Sequence, residues 1–96
     1  MVEARLISFV ARSDRRREVL EILSKERISQ PAIMKKTEMY KGHVSRTLKV
    51  LSEEKLIICE NPEDRSFKFY KTSNKGKKVL EEIKNIRFPS QNNRNF

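Results

Sequence analysis

Cysteine, histidine and glycine are scarce in this chain, and each scarcity removes a class of chemistry. The one cysteine, Cys59, cannot close an intrachain disulfide, which fits a reducing cytosol. With His43 it gives two soft metal ligands, too few for a structural zinc without help from carboxylates. The two glycines, Gly42 and Gly76, cannot make a glycine-rich phosphate loop. No nucleophile stands at a recognisable spacing from a base, so an enzyme is not expected, and neither is a cofactor. The N-terminal stretch lacks a long uncharged apolar run, so neither a signal peptide nor a membrane span is expected. These absences point to a cytoplasmic protein that works by binding.

Positive charge is abundant. Lys and Arg number 22 against 13 Asp and Glu, a net charge of +9 on 96 residues. A chain of this length makes one domain with a modest shared core. Its charge suits nucleic acid, an anionic membrane surface or an acidic protein. The distribution narrows the choice. Lys35, Lys36, Lys41, Arg46 and Lys49 lie in one stretch with a single acid, Glu38. Lys75, Lys77 and Lys78 form a second run with no acid. The acid pairs Glu53-Glu54 and Glu81-Glu82 read as solvated helix faces.

Apolar spacing gives the order of elements. Val2 to Ala11 is a short helix with one broad apolar face. Asp14 is placed to cap a second helix, to about Lys25, striped by Val19, Leu20, Ile22 and Leu23. Arg15, Arg16 and Arg17 stand at its start, the wrong end for the helix dipole. Contact with a nucleic-acid backbone, a partner subunit or plain solvent would each account for them. Arg27-Ile28 is extended. Ser29 is a good N-cap, with Pro31 just inside the next helix. The turn is Thr37 to Tyr40. A further helix then runs from Lys41 to about Lys55, with Val44, Leu48 and Leu51 on one face. Leu56–Glu60 and Ser66–Thr72 read as a β-hairpin around the turn cluster Asn61-Pro62-Glu63-Asp64. Ser73 caps a last helix from Asn74 to Ile86. Residues 87–96 have little to bury and are expected to be a mobile tail. The fold class is mostly α (α+β), in three parts: an N-terminal helical segment, 1–12; the body, 13–86; and the tail.

Three segments carry a resemblance: RRREVLEIL, HVSRTLKVLSEEKLI and FYKTSNKGKKVLEEI. The pattern V-S-R-x-L-x-x-L is met by Val44, Ser45, Arg46, Leu48 and Leu51. The pattern Y-x-x-[ST]-x-K-G-K is met by Tyr70, Ser73, Lys75, Gly76 and Lys77. Over about residues 12–86 the chain resembles small archaeal winged helix-turn-helix transcriptional regulators of the MarR/ArsR-like group. The resemblance implies a three-helix core plus a β-hairpin wing, flanked by N- and C-terminal helices, and a homodimer that binds double-stranded DNA. Two departures stand out. The family often has glycine where this chain has Lys55, and its Asp-x-Arg wing motif is met only by Glu63-Asp64-Arg65.

The residues support a DNA reading on their own chemistry. Arg46 can fork onto a guanine edge or a phosphate, and His43, Ser45 and Thr47 can make shorter contacts. Lys41 and Lys49 suit phosphates at either end of the helix that Gly42 opens, and Lys36 adds charge beside them. Ser29 and Gln30 can offer backbone N–H groups to a phosphate. Arg65, at the wing tip, can enter a minor groove, and Lys68 can reach backbone from the strand. The blander reading is that Arg46 and Lys49 solvate a helix face and that Arg65 pairs with Glu63 or Asp64. Leu6, Phe9 and Val10 with Val79, Leu80, Ile83 and Ile86 exceed what a three-helix core needs. A dimer through the N- and C-terminal helices would bury them, setting two recognition helices about 34 Å apart. The expected function is a sequence-specific regulator, in the simplest mechanism a repressor by occlusion. The alternatives are a winged-helix protein-interaction module of a larger assembly and a non-specific architectural nucleic-acid binder. The operator, and any effector ligand, are not legible in the sequence.

Overall fold

The computed structural model describes residues 3–64 and 68–85. The chain is mostly helical, with one small antiparallel sheet. Helix α1 is Ala4–Ala11, α2 is Asp14–Lys25, α3 is Gln30–Thr37, α4 is Lys41–Glu53 and α5 is Asn74–Asn85. The strands are β1, Ile28–Ser29, β2, Ile57–Cys59, and β3, Phe69–Thr72.

Local chemistry sets the helix ends. The cap of α2 is Ser13, not Asp14: its hydroxyl accepts from the Arg16 backbone N–H at 3.2 Å. Asp14 sits in the first turn, where a carboxylate suits the dipole. Helix α3 stops where Glu38 turns left-handed, φ 59°, its N–H donating to the Met34 carbonyl at 2.8 Å. Helix α4 stops at Lys55, φ 61°. The Leu56 N–H reaches the Leu51 carbonyl and the Lys55 N–H reaches Ser52, both at 2.9 Å, a paired closure that usually has glycine at its left-handed residue. Lysine therefore makes the same helix stop that glycine makes elsewhere. Leu51 and Leu56 are both fully buried beneath it.

The sheet has order β1-β3-β2. Strand β2 pairs with β3 in the register Ile57↔Thr72, Ile58↔Lys71 and Cys59↔Tyr70. Asn61 helps close this hairpin, its side-chain oxygen accepting from the Phe69 N–H at 2.8 Å. Strand β1, absent from the expected hairpin, joins the other edge of β3 through Ile28↔Tyr70 and Ser29↔Phe69. That pairing ties the start of α3 to the sheet.

All five helices share one core. Leu6, Val10, Val19, Leu20, Val44 and Val79 are each fully buried. Helix α1, the expected N-terminal segment, packs on α2 and α5. Arg16 and Arg17 fix it there. Arg16 lies 4.0 Å over the Phe9 ring and donates to the Phe9 carbonyl at 2.8 Å. Arg17 donates to the Ala11 carbonyl at 3.2 Å and pairs with Asp14. The misplaced arginines of α2 thus close the C-terminal end of α1, where positive charge is favourable. This internal role was not among those the sequence suggested for them. Ser73 caps α5 by accepting from the Gly76 N–H at 3.1 Å, and it donates to the Lys55 carbonyl at 2.7 Å.

The surplus of apolar side chains also resolves differently. Leu6, Val10, Val79, Leu80 and Ile83 are buried within one chain. Ile86 and the expected tail, 87–96, lie outside the described residues. A two-fold pairing no longer follows from these side chains, because they already face each other.

Candidate nucleic-acid interface

Helix α4 turns one side inward and leaves the other open. Val44, Thr47, Leu48 and Leu51 are buried, while Lys41, Gly42, Ser45, Arg46, Lys49 and Ser52 are exposed. Spacings of three and four residues produce that division. Among the described residues, no acid pairs with Lys41, Arg46 or Lys49. Their charge is left to whatever approaches.

Thr47 must be removed from the outward set. It is 6% exposed, and its hydroxyl donates to the His43 carbonyl at 2.7 Å. It braces the first turns of α4 and has nothing to offer a ligand. His43 is half-buried, its ring 5.9 Å from that of Tyr40. Lys36 is exposed but pairs with Glu26 at 3.3 Å, so its charge is partly answered within the chain. Lys68 is exposed, and Arg65 lies outside the described residues.

Helix α3 meets α4 at a polar contact. The Gln30 side-chain amide donates to the Ser45 hydroxyl at 2.7 Å. Beside it a shallow groove of about 250 Å³ is bordered by Gln30, Ser45, Lys49, Ser52 and Tyr70. Burial, with a smaller contribution from nearby Cys59, holds the Tyr70 hydroxyl above its ordinary range, so it stays a neutral donor at neutral pH. Ser29 occupies the cap position of α3 but makes no side-chain cap bond, and neither does Tyr40 before α4. The leading N–H groups of both helices are therefore left uncapped by side chains, a polarity that suits anions.

Tyr40 escaped the sequence reading. It is 79% exposed, at the entrance of α4 beside Lys41. The available signal was a bulky aromatic at the end of a turn, directly before the basic Lys41.

What the face can do chemically is bounded. It combines cations, a fork-shaped guanidinium, hydroxyls and an amide, with no paired acid and base. Among the described residues no three His, Cys, Asp or Glu gather to hold a metal ion, and no helix is long and apolar enough to cross a membrane. No protein-family model matches the chain, and no curated protein matches it significantly.

Proposed function

We propose that this chain is a winged helix-turn-helix regulator that binds double-stranded DNA sequence-specifically, with α4 reading bases in the major groove. One observation carries the reading: α4 buries its apolar side and leaves Arg46, Lys49, Lys41 and Ser45 exposed, the three cations pairing with no acid among the described residues. Helix α3 lies across its start, and the β2–β3 hairpin follows it, the arrangement in which such a helix enters a groove. Arg46 supplies the two-pronged contact, Lys41 and Lys49 answer phosphates, and Gln30 and Ser45 act as a coupled polar pair. Occlusion of a promoter is the simplest consequence for a domain of this size.

The proposed unit is one chain with one reading helix. Pairing of copies, if DNA sites are inverted repeats, uses a surface other than the inward residues of α1 and α5.

Selection of bound sites from random duplex DNA tests the reading, followed by titration of Arg46→Ala and of Lys84→Ala as an exposed control. Arg46→Ala is expected to weaken the selected site by about 1–3 kcal/mol and random duplex by much less. Wild-type affinity should fall steeply with salt, as phosphate contacts require. Failure to enrich any sequence, with Arg46→Ala and Lys84→Ala behaving alike, would defeat the proposal.

A further inference from the structure

The basic run at the start of α5 makes no close ion pair among the described residues. Lys75, Lys77 and Lys78 are exposed, and the first turn of α5 holds no acid. Cations there oppose the positive end of the helix dipole. The same fault at the start of α2 has an internal remedy, since Arg16 and Arg17 reach the carbonyls of α1. For α5 the described residues show no such hydrogen bond or ion pair, only the longer-range attraction between Lys75 and Glu54. Among the described residues, no acid lies within ion-pair distance of Lys55, Lys75, Lys77 or Lys78. Lys55 adjoins the run through the Ser73 hydroxyl, which donates to its carbonyl. It too stands where another residue would fit better, in a left-handed conformation that suits glycine. Lys55, Lys75 and Lys77 are thus kept where local helix energetics disfavour them, with Lys78 exposed beside them.

This surface is separate from the outward face of α4. Ser45 and Glu54 are about two and a half helical turns apart, so they lie on opposite flanks. Gln30 and Lys49 border the Ser45 flank. Lys75 borders the other, close enough that its charge helps hold the Glu54 carboxyl below its ordinary range, after the larger effect of Arg5. Exposed Glu53 stands between the two flanks. A single line of phosphates running from Lys49 to Lys75 would have to cross these acids.

The composition of the surface selects its partner. Its unpaired cations are lysines, and the neighbouring Arg5 is engaged by Glu54 and Glu3. The exposed large apolar residues of the described chain, Tyr40 and Ile58, lie outside it. Protein docking sites generally carry an aromatic or apolar anchor. Flexible ammonium groups without an anchor suit phosphodiesters, which they meet as point charges without reading sequence. We infer that Lys55 and the first turn of α5 form a second nucleic-acid contact, sequence-independent, which grips the phosphate backbone of a second duplex segment. One chain can then hold two duplexes. The inference rests on the α4 reading only for the first of them.

A bridging experiment tests this. A selected-site duplex is fixed to beads, and a fluorescent duplex of unrelated sequence is recovered through the full chain at low salt. Wild type is expected to retain the second duplex. The triple variant Lys75→Ala, Lys77→Ala, Lys78→Ala should lose at least about tenfold of that retention, while its affinity for one free selected duplex stays within about threefold. Its melting temperature should equal or exceed that of wild type, because charge is removed from the wrong helix end. The Lys→Gln triple gives the same comparison should alanine disturb the fold. Bridging that survives both triples means two copies of the chain do the bridging, and overturns the assignment. Equal loss of single-duplex affinity places the lysines on the first duplex and also overturns it. So does release by polyglutamate as effective as by unlabelled duplex, which marks an acidic-polypeptide surface. Failure of wild type to bind even one duplex defeats the α4 reading instead; binding one without retaining a second defeats this inference alone.

Discussion

Two glycines of one chain have opposite physical reasons, and substituting each separates them. A Cβ at Gly76 would meet the Leu56 carbonyl oxygen at 2.2 Å and the Thr72 methyl at 2.6 Å. Helix α5 packs too closely on the Leu56 backbone there to admit a side chain, so Gly76→Ala should destabilise the fold by about 2–3 kcal/mol in urea unfolding. A Cβ at Gly42 meets nothing within 4 Å, and its φ is not positive. Gly42→Ala should therefore stabilise by about 0.5 kcal/mol, through helix propensity. If the start of α4 lies against DNA, the same change weakens binding; unchanged binding would place the duplex elsewhere. Lys55 extends the comparison. Its left-handed φ is strained for an L side chain, and Lys55→Gly should raise stability by about 0.5–1 kcal/mol by the same unfolding measurement. A loss of stability would show that the lysine side chain packs in a way its exposure does not suggest. Sequence made the departure at Lys55 visible but not its outcome, since the hydrogen bonds that hold the turn come from backbone groups any residue carries.

At the scale of elements, helices were the legible part and their fastenings were not. Repeats of three and four marked α2, α4 and α5 closely, because an amphipathic stripe must face a core. Sequence marks β1 as a short extended strand but not its partner, since two residues carry no periodicity and their pairing with β3 is a long-range event. The cap of α2 went to Asp14, although Ser13 performs it; either side chain can cap, and one residue of register decides. Arg16 and Arg17 were legible as misplaced charge, but their acceptors on α1 required the packing of two helices. That packing predicts where the fold opens first. Arg16→Met keeps the aliphatic stem and loses both the carbonyl contact and the cation over Phe9. It should lower stability by about 2 kcal/mol, and hydrogen exchange should show amide protection falling in α1 before α4. Uniform loss across the chain would mean that α1 is held by its apolar face alone.

At the scale of the whole molecule, charge distribution was legible and apolar partnership was not. The outward cations of α4 stand out in sequence because acids are scarce beside them, and among the described residues Lys41, Arg46 and Lys49 make no ion pair. Thr47 was misplaced because a threonine near the edge of a helical stripe can either donate inward or face solvent, and only the local packing decides. The apolar residues of α1 and α5 were counted as surplus because sequence cannot say which helices share a core. Two helices distant in the chain close on each other, and they bury Leu6 fully and leave Ile83 only 4% exposed. This distinction is measurable. An interface residue changed to a charge releases a folded monomer, whereas a core residue so changed leaves an unpaired charge among apolar side chains and unfolds the chain. Ile83→Asp should abolish the cooperative thermal transition and the helical circular-dichroism signal together. A folded, cooperatively melting Ile83→Asp chain at half the wild-type mass in sedimentation would show instead that this residue faces a second copy, and that the assembled protein packs α5 differently from the single chain.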